Sequence, residues 1–254
     1  ETASTLRNAI LRAPGDQGPD IAILEATIDL ANGDAAEAEI KIDQMLKDPG
    51  PGTPAALVAL VTARAAQNLP VEPALVVALE ALMTEQTGSA AAPELLQALI
   101  LAHAASGDFD AAFAVLPQFP QVEPDVWRLL ANIGVDDAVL AHAVLSPDQG
   151  RPKAAADTAA QLAERLLGFG LAGPAQLWLV ANNNPELWVR VRLAEHDGRG
   201  ALSDLADTNA ADTLALRAEA MAMVGDQAAA QAYGQAGDVL GQRQVLARAR
   251  NWTE

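Results

Sequence analysis

A two-residue step, Gly followed by Asp, recurs three times between alanine-rich apolar segments and constrains the fold more than any other feature. The step stands at Gly33-Asp34, Gly107-Asp108 and Gly225-Asp226. In each case an Ala- and Leu-rich stretch precedes the glycine, and a second stretch that opens with small residues follows the Asp. Glycine closes a helix in the left-handed conformation and Asp caps the next one, so each step predicts a helical hairpin.

A small residue follows each of these Asp residues at the same distance. Ala38, Ala112 and Ala230 all lie four positions after the Asp, about one turn into the second helix. The distance between two packed helices depends on the side chains at the contact. We therefore expect these alanines to lie where two helices cross closely.

The rest of the chain has similar punctuation by glycine and proline, which divides it into about sixteen short helices. Alanine, the best helix former, supplies about a fifth of the residues, and no stretch alternates apolar and polar residues over a strand's length. The predicted fold class is all-α. The three most apolar helices, at 54–67, 72–86 and 92–106, are expected to be covered on both sides. The predicted spans are 2–13, 19–32, 34–47, 54–67, 72–86, 92–106, 108–116, 124–133, 135–145, 152–168, 173–182, 185–196, 199–207, 210–224, 226–235 and 238–250.

The three Gly-Asp hairpins resemble the tetratricopeptide repeat, in which a Gly-Asp turn joins helix A to helix B, an alanine follows at this spacing and a proline often closes the unit. Pro49 stands about where the closing proline would fall. The resemblance implies a superhelical solenoid of antiparallel helix hairpins through residues 1–254, with helix A of successive units lining a concave surface. The other hairpins would be degenerate units, because the turns recur at intervals of roughly 25 to 40 residues rather than at a fixed period.

A seam or bend is expected near 117–150, where prolines and glycines interrupt the helices. The charge also changes along the chain: residues 1–127 carry 5 basic and 18 acidic side chains, whereas residues 128–254 carry 11 and 15. The segment 1–116 is therefore the acidic and apolar part, and 151–254 is the part that bears Trp and Arg residues.

The net charge of −17 limits the classes of partner. A strongly acidic chain repels nucleic-acid phosphates and anionic membrane surfaces, so neither is an expected partner. The longest apolar stretch, Glu94–Ser106, is too short to span a bilayer, so no membrane insertion is expected. The excess of acid in the first half is explained either by solubility or by a basic partner.

The start of the chain and its residue usage bear on its source. Because the chain starts at Glu1 rather than Met, we expect a processed or truncated product from which an N-terminal segment has been removed. The absence of cysteine fits the bacterial cytoplasm and the bacterial periplasm equally well. The abundance of Ala, Arg, Asp and Gly, with few Lys, is typical of a bacterial protein.

No arrangement of residues predicts catalysis, a cofactor or a metal ion. His103, His142 and His196 are far apart, and none belongs to a zinc-binding spacing. Adjacent carboxylates such as Asp136 and Asp137 stand at helix starts, where capping and the helix dipole account for them. The chain is therefore predicted not to be an enzyme. A closed pocket that holds His103 or His142 beside carboxylates would favour the alternative of an enzyme or a helical ligand-binding domain.

The tryptophans point to a different kind of site. Trp127, Trp178, Trp188 and Trp252 all lie from the middle of the chain onward. Trp188 and Arg192 are four residues apart and share a helix face, and Trp and Arg dominate binding hot spots. The alternative is that Trp188 packs between hairpins while the arginine stems cover it. The candidate partner-binding residues are Trp188, Arg190, Arg192, Arg243 and Arg248.

The sequence thus favours a non-catalytic scaffold or adaptor that binds a protein or peptide on a helical-repeat surface. The first alternative is a structural component of a bacterial cell-envelope or motility assembly, which a large flat apolar face would favour. The second alternative is the ligand-binding domain or enzyme named above.

Overall fold

The computed structural model describes residues 19–47, 53–86, 88–146, 152–180, 184–206, 213–226 and 228–250, and every regular element in these ranges is a helix. The all-α prediction is confirmed. Each of the fifteen predicted spans from 19–32 onward corresponds to one α-helix of the described residues. The sixteenth, at 2–13, and Pro49 lie outside them.

The chain divides into two compact units, and unit 1 comprises residues 1–138 with 152–154. Two 3₁₀ turns, Leu116–Gln118 and Pro120–Val122, precede its last complete helix. The helices of unit 1 are α1 (Pro19–Asn32), α2 (Ala35–Leu46), α3 (Thr53–Ala66), α4 (Pro73–Glu85), α5 (Ala92–Ser106), α6 (Phe109–Val115) and α7 (Glu123–Ile133).

Unit 2 comprises residues 139–151 with 155–254. The division passes through helix α8 (Asp136–Ala143) and lies inside the interval 117–150, where a bend stays a prediction. The other helices of unit 2 are α9 (Ala156–Gly168), α10 (Ala172–Leu179), α11 (Pro185–Ala194), α12 (Gly198–Asp204), α13 (Leu214–Met223), α14 (Ala229–Gln235) and α15 (Val239–Arg250).

One turn geometry ends seven helices of the described residues. In each turn a residue with positive φ donates its N–H to the carbonyl three residues back, and the next residue donates to the carbonyl five residues back. This pair of bonds satisfies carbonyls that the helix end leaves open, and it reverses the chain. The three predicted glycine turns are confirmed. The seven left-handed residues are Gly33, Asn68, Gly107, Gly170, His196, Gly225 and Gly237.

The Asp that follows the left-handed residue caps the next helix in most of these turns. The carboxylates of Asp108, Asp197 and Asp238 each accept the N–H three residues on, at 2.9–3.1 Å. Asp226 accepts the N–H of the residue two positions on instead. The expectation that Asp34 caps α2 is wrong, since its side chain accepts no such bond.

The helices pack in two ways within each unit. Chain neighbours such as α1 and α2 contact each other, and so do alternate helices: α1 with α3, α3 with α5 and α5 with α7. Unit 2 repeats this with α9, α11 and α13. Ala38, Ala112 and Ala230 are buried, whereas a close helix crossing at each of them stays a prediction.

Helix α5 forms the centre of unit 1, and α4 lies at its edge. Every residue of α5 from Ala98 to Ala105 is buried, as expected of a helix covered on both sides. The same expectation for α4 is wrong: only Val76 and Leu79 are buried, and Val77 is 62% exposed. Because α4 packs mainly on α3 and α5, its remaining apolar side chains are half-buried or exposed. Helix α9 was predicted to begin at Pro152, but it begins at Ala156.

Replacement of His196 by glycine is expected to stabilise unit 2 by about 1 kcal/mol. His196 holds φ at +61°, a conformation that costs about 1–2 kcal/mol for a residue with a Cβ, and the entropy of glycine offsets part of the gain. Asn68→Gly is the matched control. It should not stabilise unit 1, because Asn68 tolerates this conformation and its Oδ1 accepts a hydrogen bond from Arg128. Urea denaturation of both variants measures the effects, and a destabilising His196→Gly would contradict the prediction.

Candidate partner-binding cleft on helices α11 and α12

Helix α11 begins with a well-formed cap. The Asn184 side chain accepts the N–H of Leu187 at 3.2 Å, and Pro185 occupies the first helical position, where no N–H is needed. The cap fixes where the helix starts, and therefore which residues of 185–194 face the core.

Two faces of α11 are buried. Leu187 and Val191 are one turn apart, as are Val189 and Leu193, and all four are buried. This arrangement leaves Trp188 on a face of its own with Arg192, as the spacing predicts. The helix is thus held from two sides, and the side chains between these two faces line its surface.

Trp188 and Arg192 line an open cleft of about 580 Å³ together with Pro185 and Asp204. Trp188 is half-buried, so its indole both packs on unit 2 and presents apolar surface to the cleft. Which of the two interpretations of Trp188 applies stays a prediction. Asp204 reaches the cleft from the last turn of α12.

The guanidinium of Arg192 is held by two carboxylates. Its Nε donates to Asp204 Oδ2, and its Nη1 lies 3.0 Å from Asp197 Oδ2. The pKa of Arg192 is raised, chiefly by the hydrogen bond to Asp204. The pKa of Asp197 is lowered, chiefly by the N–H that Gly200 donates and further by Arg192. One cation thus faces two anions, and the group has a formal charge of −1.

Arg190 does not line the cleft. Its Nη2 lies 2.7 Å from Glu186 Oε1, one turn earlier on α11, and its Nη1 lies 3.3 Å from Glu164 Oε1 of α9. The side chain is exposed, so these pairs contribute at most about 1 kcal/mol. Arg190 therefore links α11 to α9 on the surface.

Arg243 and Arg248 lie on α15, which packs mainly on α14, and neither lines the cleft. Both are exposed. The charge of Arg248 acts on Tyr233 of α14: burial raises the pKa of Tyr233, and Arg248 partly lowers it. Of the five predicted partner-binding residues, the structure brings together only Trp188 and Arg192.

The remaining tryptophans have other roles. Trp127 is buried against Phe113, with ring centroids 4.6 Å apart, and its Nε1 donates to Glu123. Trp178 is buried, and its Nε1 donates to the Ala143 carbonyl at 2.8 Å. Trp252 lies outside the described residues. Two of the four tryptophans, Trp127 and Trp178, are thus core residues rather than candidate binding residues.

Two carboxylates lie near His103. Its Nε2 lies 3.7 Å from Glu80 Oε1 and its Nδ1 lies 3.9 Å from Asp108 Oδ2, both beyond hydrogen-bond distance. The imidazole of His103 projects from α5 and is buried. It does not line the cleft beside Trp188. In the described ranges no three His, Asp or Glu side chains form a group that could hold a metal ion.

Sequence reasoning missed Asp197 and Asp204. A signal for Asp197 was present, since it follows the left-handed His196 as Asp108 follows Gly107. Asp204 lies seven residues beyond Asp197, two turns along α12. It reaches Arg192 only because α12 folds back on α11, which the sequence pattern does not show.

None of the helices in the described part of the chain combines the length and hydrophobicity needed to cross a bilayer. No protein-family model, curated protein or solved structure matches the chain.

Proposed function

We propose that this chain is a non-catalytic scaffold or adaptor that binds a protein or peptide segment in the cleft lined by Trp188, Arg192 and Asp204. The observation that carries the proposal is the half-buried Trp188 beside a paired guanidinium in an open cleft. Trp supplies a large apolar contact at low cost in side-chain entropy, and Trp and Arg are enriched in binding hot spots.

The helix arrangement supports the same function. Contacts between alternate helices within each unit are those expected when hairpins stack as in a tetratricopeptide-like solenoid. A solenoid of this kind presents its partner with an extended surface built from successive hairpins. We propose this architecture for the chain, with α11 as one of the helices that contribute to the binding surface.

The charges in the cleft indicate the chemistry of the bound segment. Because Asp204 in the cleft and Asp197 beside it share the one guanidinium of Arg192, the cleft favours a segment that donates hydrogen bonds or carries a positive charge. The Trp188 ring binds an apolar side chain or stacks with a cation. The expected ligand is a peptide with an aromatic, Leu or Met residue next to Arg or Lys.

Selection from a displayed peptide library on the purified chain tests the proposal. Enriched peptides should lose at least tenfold in affinity for Trp188→Ala, as expected of a binding hot spot. Arg190→Ala, a change on the same helix outside the cleft, should alter the affinity less than twofold. Circular dichroism confirms that both variants fold. Enriched peptides that bind Trp188→Ala as tightly as the parent, or the absence of any enriched peptide, would contradict the proposal.

A further inference from the structure

A second cleft, of about 410 Å³, lies in unit 1 between α2, α3 and α4. Its floor is apolar: Leu57 and Leu75 are half-buried and Leu60 is buried beneath them. We call it the acidic groove, because its rim carries Asp43 of α2 and Glu72, the cap residue of α4.

The two rim carboxylates are available to a ligand. Asp43 and Glu72 are exposed, and neither is in an ion pair with another described residue. The basic residue that lines the groove, Arg64, has its Nε 3.0 Å from Glu39 Oε1. That pair neutralises Arg64, so the groove presents an apolar floor between two unpaired negative charges.

The opposite end of the chain carries a surface of complementary character. Val239, Arg243 and Leu246 follow the i, i+4, i+7 spacing on α15 and share one face. Val239 is 57% exposed and Leu246 47%, and Arg243 is exposed without an ion pair among the described residues. This α15 stripe therefore has a cation between two apolar side chains. It matches the groove, in which apolar side chains lie between two anions.

We infer that the acidic groove of one molecule binds the α15 stripe of a second copy of this chain. Leu246 and Val239 would cover the floor formed by Leu57 and Leu75, and Arg243 would pair with Asp43 or Glu72. The uneven charge of the chain favours the same pairing, since residues 1–127 carry 18 acidic and 5 basic side chains. The contact is head-to-tail, so it builds rings or open chains. It is independent of the Trp188 cleft.

Sedimentation of the purified chain without any ligand measures the association. The weight-average mass should rise above the monomer mass of 26.3 kDa between roughly 10 µM and 1 mM, the range of weak contacts. Added salt should reverse the rise, because exposed charges are screened. Asp43→Lys with Glu72→Lys, and separately Arg243→Glu, should each lower the association constant at least tenfold.

A mixture of the two variants gives the sharpest test. The Asp43→Lys/Glu72→Lys chain keeps an intact α15 stripe, and the Arg243→Glu chain keeps an intact groove. Neither should associate alone, but together they should form mixed complexes of 1:1 stoichiometry, because the intact stripe meets the intact groove and the two reversed surfaces also carry opposite charges. No such complex is expected if α15 docks elsewhere or if the variants merely weaken association through net charge.

Matched charge reversals serve as controls. The first control is Glu37→Lys, at a residue of α2 that does not line the groove. The second is Arg248→Glu, at a residue of α15 that faces Tyr233. Both should associate as the parent does, and thermal melts should show that all variants fold. A parent chain that stays monomeric, an Arg243→Glu chain that associates like the parent, or a mixture that forms no mixed complex would each overturn the inference. Failure of the Trp188 proposal would leave these results unchanged, because no peptide is present.

Discussion

Replacement of Trp178 by alanine is expected to lower the free energy of unfolding of unit 2 by about 3–5 kcal/mol, the range for removal of a large buried aromatic side chain. Trp178 is 4% exposed on α10. Its Nε1 donates to the carbonyl of Ala143, the last residue of α8. The substitution thus removes both a large part of the core and the donor that satisfies a helix-end carbonyl.

Two further variants separate these contributions. Trp178→Phe keeps most of the buried ring but has no donor for Ala143, and it should cost about 1–3 kcal/mol. Trp188→Ala is the matched control, since it deletes the same side chain at a half-buried position on the next helix. Urea denaturation followed by circular dichroism gives all three values. The prediction fails if Trp178→Ala costs no more than Trp188→Ala.

The loss of Trp178 should also have a local dynamic signature. Residues 139–143 belong to unit 2, and the hydrogen bond from Trp178 ties the end of α8 to α10. Amide hydrogen exchange in 139–143 should therefore accelerate in Trp178→Phe more than exchange in α12. Equal acceleration throughout unit 2 would indicate global destabilisation instead.

Helix positions were predictable because their ends depend on local chemistry. Gly33, Gly107 and Gly225 adopt the left-handed conformation that the Gly-Asp step predicts. Asn68 and His196 adopt it too, although no glycine is present. At His196 the following Asp197 completes the same turn and cap, so the signal was the Asp rather than the glycine.

The contacts that the tryptophans and arginines make were less predictable than the helix ends. Spacing alone places Trp188 and Arg192 on one face, and the cleft confirms it. The partners of Arg192 include Asp204, twelve residues later, and Arg190 pairs with Glu164, twenty-six residues earlier. Such pairs exist only after helices distant in sequence have packed. A sequence therefore reveals candidate binding residues but not the ion pairs that occupy them.

Helix α4 illustrates a limit of hydrophobicity as a guide to burial. Its residues are as apolar as those of α5, yet Val77 is exposed and most of α5 is buried. The difference arises from position in the packing: α5 contacts α3, α4, α6 and α7, whereas α4 contacts mainly α3 and α5. Which of two apolar helices becomes central depends on the order of packing, which periodicity does not encode.

In unit 1 the largest effect of a single polar side chain is expected at Arg128. Its Nη1 donates to the Ala65 carbonyl at 2.9 Å and to Asn68 Oδ1, and its Nη2 lies 3.1 Å from Asp125 Oδ1. The guanidinium thus caps the C-terminal end of α3, where the helix dipole favours a positive charge. Because Ala65 and Arg128 are 63 residues apart in sequence, this one side chain joins α7 to α3 across the unit.

Arg128→Ala should therefore lower the free energy of unfolding of unit 1 by about 2–3 kcal/mol, the scale of hydrogen bonds made by a charged group. Arg128→Lys, which keeps the charge but not the planar fork, should recover less than half of the loss. Arg190→Ala is the control for an exposed arginine with two ion pairs, and it should cost less than about 1 kcal/mol.

Denaturation at low and high salt distinguishes the two sites. The Arg128 effect should persist at high salt because its side chain is mostly shielded from solvent, whereas the Arg190 effect should disappear. Equal losses at the two positions would mean that Arg128 acts as an ordinary surface charge and that α3 and α7 are held together by their apolar contacts alone.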